Sequence, residues 1–379
     1  MSTPDLLYSD VETDLRATVR DVLADRGLPA SLVSGMDSEP AYDRALWQTL
    51  ASDLGLAGLP VPEQLGGQGA SFRETALVLE ELGRAVAPVP FLGSAVLATS
   101  VLLHADTEAE PVATLLRRLA TGEATATLVV PLSTDPNTDF PTAVHAEAGL
   151  LDGAVTTVAD LAVADVLVVP AVTSDGPALF AVDTSATGVD VDEVVSFDLT
   201  RRVGDVRLRQ APARELARGA SAVDALTRGL HTAAGLLASE QLGVAQWCLD
   251  TTVEYVRQRH QFGRPVGSFQ ALKHRLADVW LDLVTARAAA RYAADVLAAP
   301  DAFGPGSDVE VAVAVAQSHC SAVAVHAAEE AIQLHGGIGM TWEHPAHLYL
   351  KRAKADEIAL GTPGRHRAHL AGVVDLPPA

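Results

Sequence analysis

Cysteine is scarce. The 379-residue chain has two, Cys248 and Cys320, and neither sits in a CxxC pair, which excludes a disulfide-stapled scaffold. Aromatic residues make up only 4%, and the abundance of Ala and Val in their place predicts tightly packed helices. Positive charge is also short: 27 Lys and Arg face 48 Asp and Glu, a net −21 that argues against nucleic acid or an anionic membrane surface as the main partner. Phosphate-bearing cofactors stay open, because a few local groups suffice to grip them. No run reaches about 18 consecutive apolar residues, so no membrane span is expected. The opening MSTPDLLYSDVETDLR has no basic region followed by an apolar run, so a secretory signal is not expected and a cytoplasmic location is. Missing too are a GxGxxG after a strand, GxxxxGK[ST], GxSxG and HExxH. What the chain does have is 49% apolar residues, too many for a disordered polyelectrolyte, and length for two to three domains at about 150 residues each.

The first third reads as helical. Leu15, Val19 and Leu23 recur at four-residue spacing from Val11 to Ala24, and Gly27 follows to stop the helix. A second helix opens at Ser71 with Glu74 placed for a capping box, after the loop LPVPEQLGGQGA at 59–70. From about Ala124 the period changes to two. TATLVVP, VADVLVVPAV, ALFAVD and VGDVRLR are short β-branched runs separated by turn residues, which predicts a small antiparallel β domain up to about Ala213. The last third returns to helices: Ser221 to about Gln261, Phe269 to Ala298, one opening on a capping box at Ser307 and Glu310 and ending at Gly336-Gly337, and Pro345 to Ala359. Four such helices with short connections predict a bundle. The division is 1–122, 123–213 and 214–379.

Glu343, His344 and His347 flank Pro345 and read as helix-start caps, so no metal site is expected. Two other stretches stand out. In Arg259-His-Gln261-Phe262-Gly-Arg-Pro-Val-Gly-Ser-Phe-Gln270 a helix is expected to end at Phe262-Gly263 and the next to open at Phe269-Gln270, so the corner gathers a guanidinium, an aromatic face and amides, the groups that hold a pyrophosphate and an adenine. The plainer alternative makes Phe262 a hydrophobic plug. In Gln333-Leu-His-Gly336-Gly337-Ile-Gly-Met-Thr-Trp-Glu, paired glycines let a ligand approach the main chain, or merely cap the preceding helix.

Both stretches, in this order, together with PEQLGGQGASFRETALVLEELG at 62–83, resemble the acyl-CoA dehydrogenase family over nearly the whole chain. The resemblance implies an α+β fold: an N-terminal helical domain, a central antiparallel β-barrel domain and a C-terminal four-helix bundle. It implies a flavoenzyme that oxidises an acyl-CoA, or another acyl thioester, to the 2-enoyl product, with FAD laid across a subunit interface. A carboxylate would take the α-proton, and flavin would accept the β-hydride. By carry-over, Arg259, Gln261, Phe262 and Gln270 would contact pyrophosphate and adenine, and Gln333, Gly336 and Gly337 would line the adenosine path. A dimer or tetramer and an electron-transfer flavoprotein-type acceptor follow from the same resemblance.

The sequence departs from the family where chemistry is done. Leu360, in Ile358-Ala359-Leu360-Gly361-Thr362, occupies the usual position of the base, and the alternative position on the long helix falls near Ala233, with Ala234 beside it. The flavin-side segment is replaced by PLSTDPNTD at 131–139, and the segment that would stack on the ring and bond its N5 by Thr157-Val158-Ala159. The adenine-end residues are kept. Three readings follow: the base-lacking, FAD-clamping subunit of a heteromeric complex with a second acyl-CoA dehydrogenase-like chain; a self-sufficient homo-oligomer with a displaced base, Glu240 or Glu357, each otherwise a solvated helix residue; and a non-redox, dehydratase-like or binding variant of the fold.

Overall fold

The computed structural model describes residues 6–35 and 42–376. Ser9 caps α1 (Asp10–Asp25) through a capping box with Glu12, Val19 and Leu23 bury its inner face, and Gly27 turns the chain at φ 68°. Short α2 (Ala30–Gly35) and α3 (Arg44–Gln48) lead to α4 (Phe72–Ala85). There the expected capping box forms, Ser71 Oγ accepting from the backbone and Glu74 reaching back to the Ser71 N–H at 2.9 Å. A buried π-helical stretch, Phe91–Ala98, runs into α5 (Thr99–Leu103), and α6 (Glu110–Ala120) follows.

The strands are β1 (Ala126–Leu128), β2 (Val144–Glu147), β3 (Leu150–Ala159), β4 (Val166–Thr173), β5 (Gly176–Asp183), β6 (Val189–Glu193), β7 (Val203–Pro212) and β8 (Arg214–Arg218). They form one sheet in the order β6-β7-β3-β2-β4-β5-β8, with β1 beside β4. The expected antiparallel barrel is corrected on two counts. β1 and β2 both run parallel to β4, making the sheet mixed, and edge strands β6 and β8 do not pair, so it does not close. Alternating burial has a period of two in either direction, so it cannot report strand polarity or closure.

Five α-helices follow among the described residues: α7 (Ala220–Gln258), α8 (Gln270–Leu297), α9 (Val309–His335), α10 (Ala346–Ile358) and α11 (Pro363–Val373). The last was not separated in the sequence, and it packs on α9. That packing also explains why the expected capping box at Ser307 does not form. Glu310 turns to His369 of α11, 3.3 Å away, leaving Asp308 as N-cap and Ser307 Oγ accepting from the Val309 N–H. α9 is long and apolar enough by composition to cross a membrane, yet it is a core helix, mostly buried and packed against α7, α8, α10 and α11.

α7 is the spine. It is buried without interruption from Gly229 to Ala245 and packs on α4, α8 and α9. Its crossing with α4 depends on two glycines: a Cβ on Gly243 would lie 1.9 Å from Glu80 O, and one on Gly83 2.3 Å from Glu240 O. The backbones therefore approach more closely than any side chain allows. Cys248 and Cys320 are buried free thiols, and burial pushes Cys320 up to about 12.

Candidate functional site

α7 ends at Gln258, earlier than expected, because Arg259 leaves the helical region while its N–H still reaches Tyr255 O at 2.9 Å. The chain reverses in a two-residue hairpin, His260–Gln261 pairing with Arg264–Pro265. Phe262 and Gly263 form its tip at φ 53° and 76°, the left-handed pair that a tight hairpin turn demands. Phe262 is 89% exposed, which removes its reading as a hydrophobic plug. Its ring meets Phe269 edge-on with centroids 6.2 Å apart, and the Arg264 guanidinium lies 3.8 Å from the Phe269 centroid. Arg259, Gln261 and Gln270 are exposed around this tip.

The second stretch comes to the same end of the bundle. His335, the last residue of α9, stacks on Tyr255 of α7 at 4.5 Å between centroids, one helical turn before Arg259. Gly336 follows at φ 63°, and a Cβ on Gly336 or Gly337 would meet nothing within 4 Å, so both offer bare backbone to a neighbour. Gln333 is exposed on the last turn of α9. Met340 (79%) and Trp342 (61%) extend the exposed apolar rim, and the Lys351 ammonium lies over the Trp342 ring. His344 accepts from the Ala346 N–H at 3.2 Å, so the helix-start role read for it is built. Among the described residues no group of three or more His, Cys, Asp or Glu could hold a metal.

Leu360 is wholly buried, at φ 53°, in contact with the core that joins the N-terminal helices to α7. That conformation is strained for a residue with a branched side chain. Tertiary contacts hold it: the Leu360 N–H donates to Leu132 O at 2.8 Å, and His366 Nε2 donates to Leu360 O at 2.9 Å. Gly361 follows at φ 99°, where a Cβ would lie 2.9 Å from His366 Nε2 and 3.2 Å from Asp135 Oδ2. Asp135 accepts from both the backbone N–H and the side-chain amide of Asn137, at 2.9 and 3.0 Å. Asn137 Oδ1 in turn lies 3.1 Å from His231 Nε2 on α7. None of these polar residues was singled out in the sequence, where 131–139 registered only as missing family residues. His231 lies two positions before Ala233, close enough in number to have been noticed.

Ala233 and Ala234 are buried and carry no polar group. Glu240 is not a solvated helix residue, which corrects the expectation. It is 1% exposed, and its carboxylate accepts from Arg201 Nη2 and Arg352 Nη1, both at 2.6 Å. Arg352 also donates to Asp198 and Thr200, and Arg201 to Asp356 Oδ1. Burial alone would raise the Glu240 pKa, but the two guanidinium groups hold it below the usual carboxylate value. Burial, with Glu240 close by, pushes Asp356 well above its ordinary value, and its Oδ2 has no hydrogen-bond partner. Glu240 is therefore a charge-balancing core residue, unsuited to abstracting a proton. Glu357, partly exposed, pairs with Lys354 one turn away.

The fold and this arrangement place the chain among known proteins. Residues 9–123 match the acyl-CoA dehydrogenase N-terminal domain and residues 223–374 the C-terminal domain, and the chain belongs to the acyl-CoA dehydrogenase family. Members of this family are FAD-dependent oxidoreductases acting on CH–CH bonds. The chain is 38% identical to acyl-CoA dehydrogenase IpdE2 of Mycobacterium tuberculosis over 92% of each chain, and 35% identical to IpdE2 of Mycolicibacterium smegmatis over 92% and 94%. Among solved structures it is similar to the ChsE4-ChsE5 complex from Mycobacterium tuberculosis, at 29% identity and TM-score 0.84 over 99% of this chain and 100% of that one. It is also similar to a variant of the Tcur3481-Tcur3483 steroid ACAD, at 28% identity and TM-score 0.82 over 97% and 98%.

The residues present fit one end of FAD. Open backbone at Gly336-Gly337, an exposed aromatic ring and an exposed guanidinium suit an adenosine and a pyrophosphate. Around Leu360 the chain uses its own groups: the Leu360 N–H is bonded to Leu132 O, its carbonyl accepts from His366 Nε2, and no carboxylate stands at that position.

Proposed function

We propose that this chain is the FAD-clamping, base-lacking subunit of a heteromeric acyl-CoA dehydrogenase that desaturates an acyl thioester. The observation that carries the reading is the contrast between the two ends of the molecule: adenosine-end groups are exposed and free to face another subunit, while the base position is an apolar residue locked in the core. Two of the similar solved structures are named as pairs of chains, which supports a two-chain assembly here.

In this reading Arg259 neutralises pyrophosphate charge, Gln261, Phe262 and Gln270 complete the pyrophosphate and adenine contacts, and Gln333, Gly336 and Gly337 line the adenosine path. When bound, FAD supplies the acceptor for the β-hydride. The carboxylate that removes the α-proton belongs to the second acyl-CoA dehydrogenase-like chain, which also holds the ring. The clamp lies in the 214–379 portion, and the assembly is a dimer or tetramer in the cytoplasm that passes electrons to an electron-transfer flavoprotein-type acceptor. The alternative of a displaced base on Glu240 loses its candidate, because that carboxylate is bound by two arginines.

The test is to purify the chain alone and co-expressed with a related chain bearing a carboxylate at the position of Leu360. Flavin retained through gel filtration only by the pair is the expected result. A yellow homo-oligomer of this chain alone overturns the reading.

A further inference from the structure

We propose that two rings, His335 and His344, position the adenosine side of the clamp, and that Gly336-Gly337 keep their place only while both rings are neutral. The inference rests on the subunit reading above for what the clamp holds, and deepens it by naming the residues that position it and the condition that releases it.

The pair stands where three elements meet. His335 ends α9 directly before Gly336, and its ring meets Tyr255 of α7 at 4.5 Å between centroids and His344, ahead of α10, at 4.2 Å. Tyr255 lies one turn before Arg259, so this row of rings joins the two stretches of the clamp. The row is anchored in the core. Trp247 lies 6.4 Å from His344 and stacks flat on Tyr349 at 3.6 Å, and the Tyr349 hydroxyl donates to Arg84 O at 2.6 Å. The glycine segment folds back on His335: a Cβ on Gly339 would lie 2.5 Å from Ile332 O and 2.9 Å from His335 Cβ. Displacing His335 therefore displaces 336–340, and with it the backbone offered to the cofactor.

Both rings are placed for the neutral state. His335 is 2% exposed, and its Nδ1 lies 2.6 Å from Ala331 O, which can only accept, so Nδ1 carries the proton. Nε2 is then a lone pair, buried with no hydrogen-bond partner among the described residues, and a proton there would be an N–H with nothing to receive it. His344 is the opposite tautomer. Its Nδ1 accepts from the Ala346 N–H at 3.2 Å, so a proton on that nitrogen breaks the bond at the start of α10. Burial, with His335 and His347, lowers His344 to about 4, and burial lowers His335 as well. The other titratable groups facing the pair are the Tyr255 phenol from α7 and His347 from α10, itself acted on by Lys351; no carboxylate acts on either ring. A charge added to one ring thus meets a second ring and no counter-ion.

The test follows the segment in this chain alone and FAD in the assembled pair. A folded-state value below the ordinary one favours the closed segment above about pH 6.5 and weakens it as pH falls. With His344 at about 4 when closed and at its ordinary 6.5 when open, the opening equilibrium should rise about thirtyfold from pH 7.5 to pH 5. Hydrogen exchange of peptide 333–344, corrected for the intrinsic pH dependence of exchange, reads that rise. His344→Asn keeps an acceptor for the Ala346 N–H with no proton to gain, and should cut the rise at least about threefold. In the pair, FAD retained through gel filtration should fall over the same window, and less in His344→Asn. At pH 7.5, His335→Ala should weaken retention by about tenfold, and His335→Phe, which keeps the ring, should restore it. If His335→Ala does not fold, the pH titrations of the native chain and of His344→Asn decide. Protection that ignores pH, or a full native rise in His344→Asn, overturns the proposal and leaves the subunit reading intact. Opening at pH 5 with FAD retention unchanged overturns the reading of this end as the clamp, and the proposal with it. Failure of His335→Phe to restore what His335→Ala loses overturns the role of the ring.

Discussion

Replacing Glu240 by Gln separates a structural carboxylate from a catalytic one. In the native chain its two oxygens accept from Arg201 and Arg352, whose side chains are 6% and 2% exposed, so neither cation can turn to water instead. Gln keeps one acceptor oxygen, sets an NH2 group against a guanidinium, and removes one negative charge from the cluster. Deleting one partner of a buried pair costs about 3–5 kcal/mol, and the retained oxygen puts Glu240→Gln near the lower end. At about 2 °C per kcal/mol for a large domain, about 3 kcal/mol lowers the melting temperature by about 6 °C. Asp356→Asn is the control. Burial and Glu240 hold its carboxyl well above the ordinary value, Arg201 donates to its Oδ1 at 2.6 Å, and the amide keeps an acceptor oxygen for that bond, so Asp356→Asn should cost less stability than Glu240→Gln. Differential scanning fluorimetry on both variants, beside flavin reduction by the assembled complex, supplies the readouts. A Glu240→Gln chain with native stability but no activity in the complex would refute this reasoning and return Glu240 to the role of base.

Gly243→Ala should fail to assemble the α4–α7 crossing or lose at least about 3 kcal/mol by urea denaturation, because its Cβ would meet Glu80 O at 1.9 Å. Arg259→Ala should leave the fold intact and raise the FAD dissociation constant of the complex about tenfold or more, the worth of a charge-assisted contact of about 1.5–3 kcal/mol, checked by flavin occupancy after dialysis. Burial, with Arg228, lowers His104 to about 4, and burial, with His335 and His347, lowers His344 to about 4, both from 6.5. Folded-state values below the unfolded ones mean that their contribution is present above about pH 6.5 and lost as pH falls toward 4. Melting temperatures should therefore drop over that window, and less steeply in His104→Gln. Leu360→Glu should not make the isolated chain active: the new carboxylate would enter an apolar, closed position where burial raises its pKa, and anaerobic flavin bleaching by acyl-CoA esters checks this.

Local signals in the sequence carried far. The Ser71–Glu74 box, the buried Leu77, Leu79 and Leu82, and the glycine-rich long helix are built as read, because capping and helical burial depend on residues close in number. Misses fell where distant residues decide. Glu310 abandons its capping box for His369, and α11 itself had a signal, Thr362 as N-cap with Pro363 at the first helical position. β3 escaped because Gly153 and a bulge break its alternation. The adenine-end stretches were legible as motifs, yet that Tyr255 and His335 bring them to one end of the bundle is a tertiary fact. The Arg201–Glu240–Arg352 cluster joins residues 39 and 112 apart, a distance at which no spacing rule operates.

The central claim is that this chain clamps a cofactor and leaves proton abstraction to another subunit. Anaerobic titration with a panel of acyl-CoA esters tests it most directly, on the chain alone in the presence of added FAD and on the chain paired with its carboxylate-bearing relative. The account predicts that only the pair bleaches, and that replacing the relative's carboxylate by its amide abolishes the bleaching. Flavin reduction by this chain alone would contradict it.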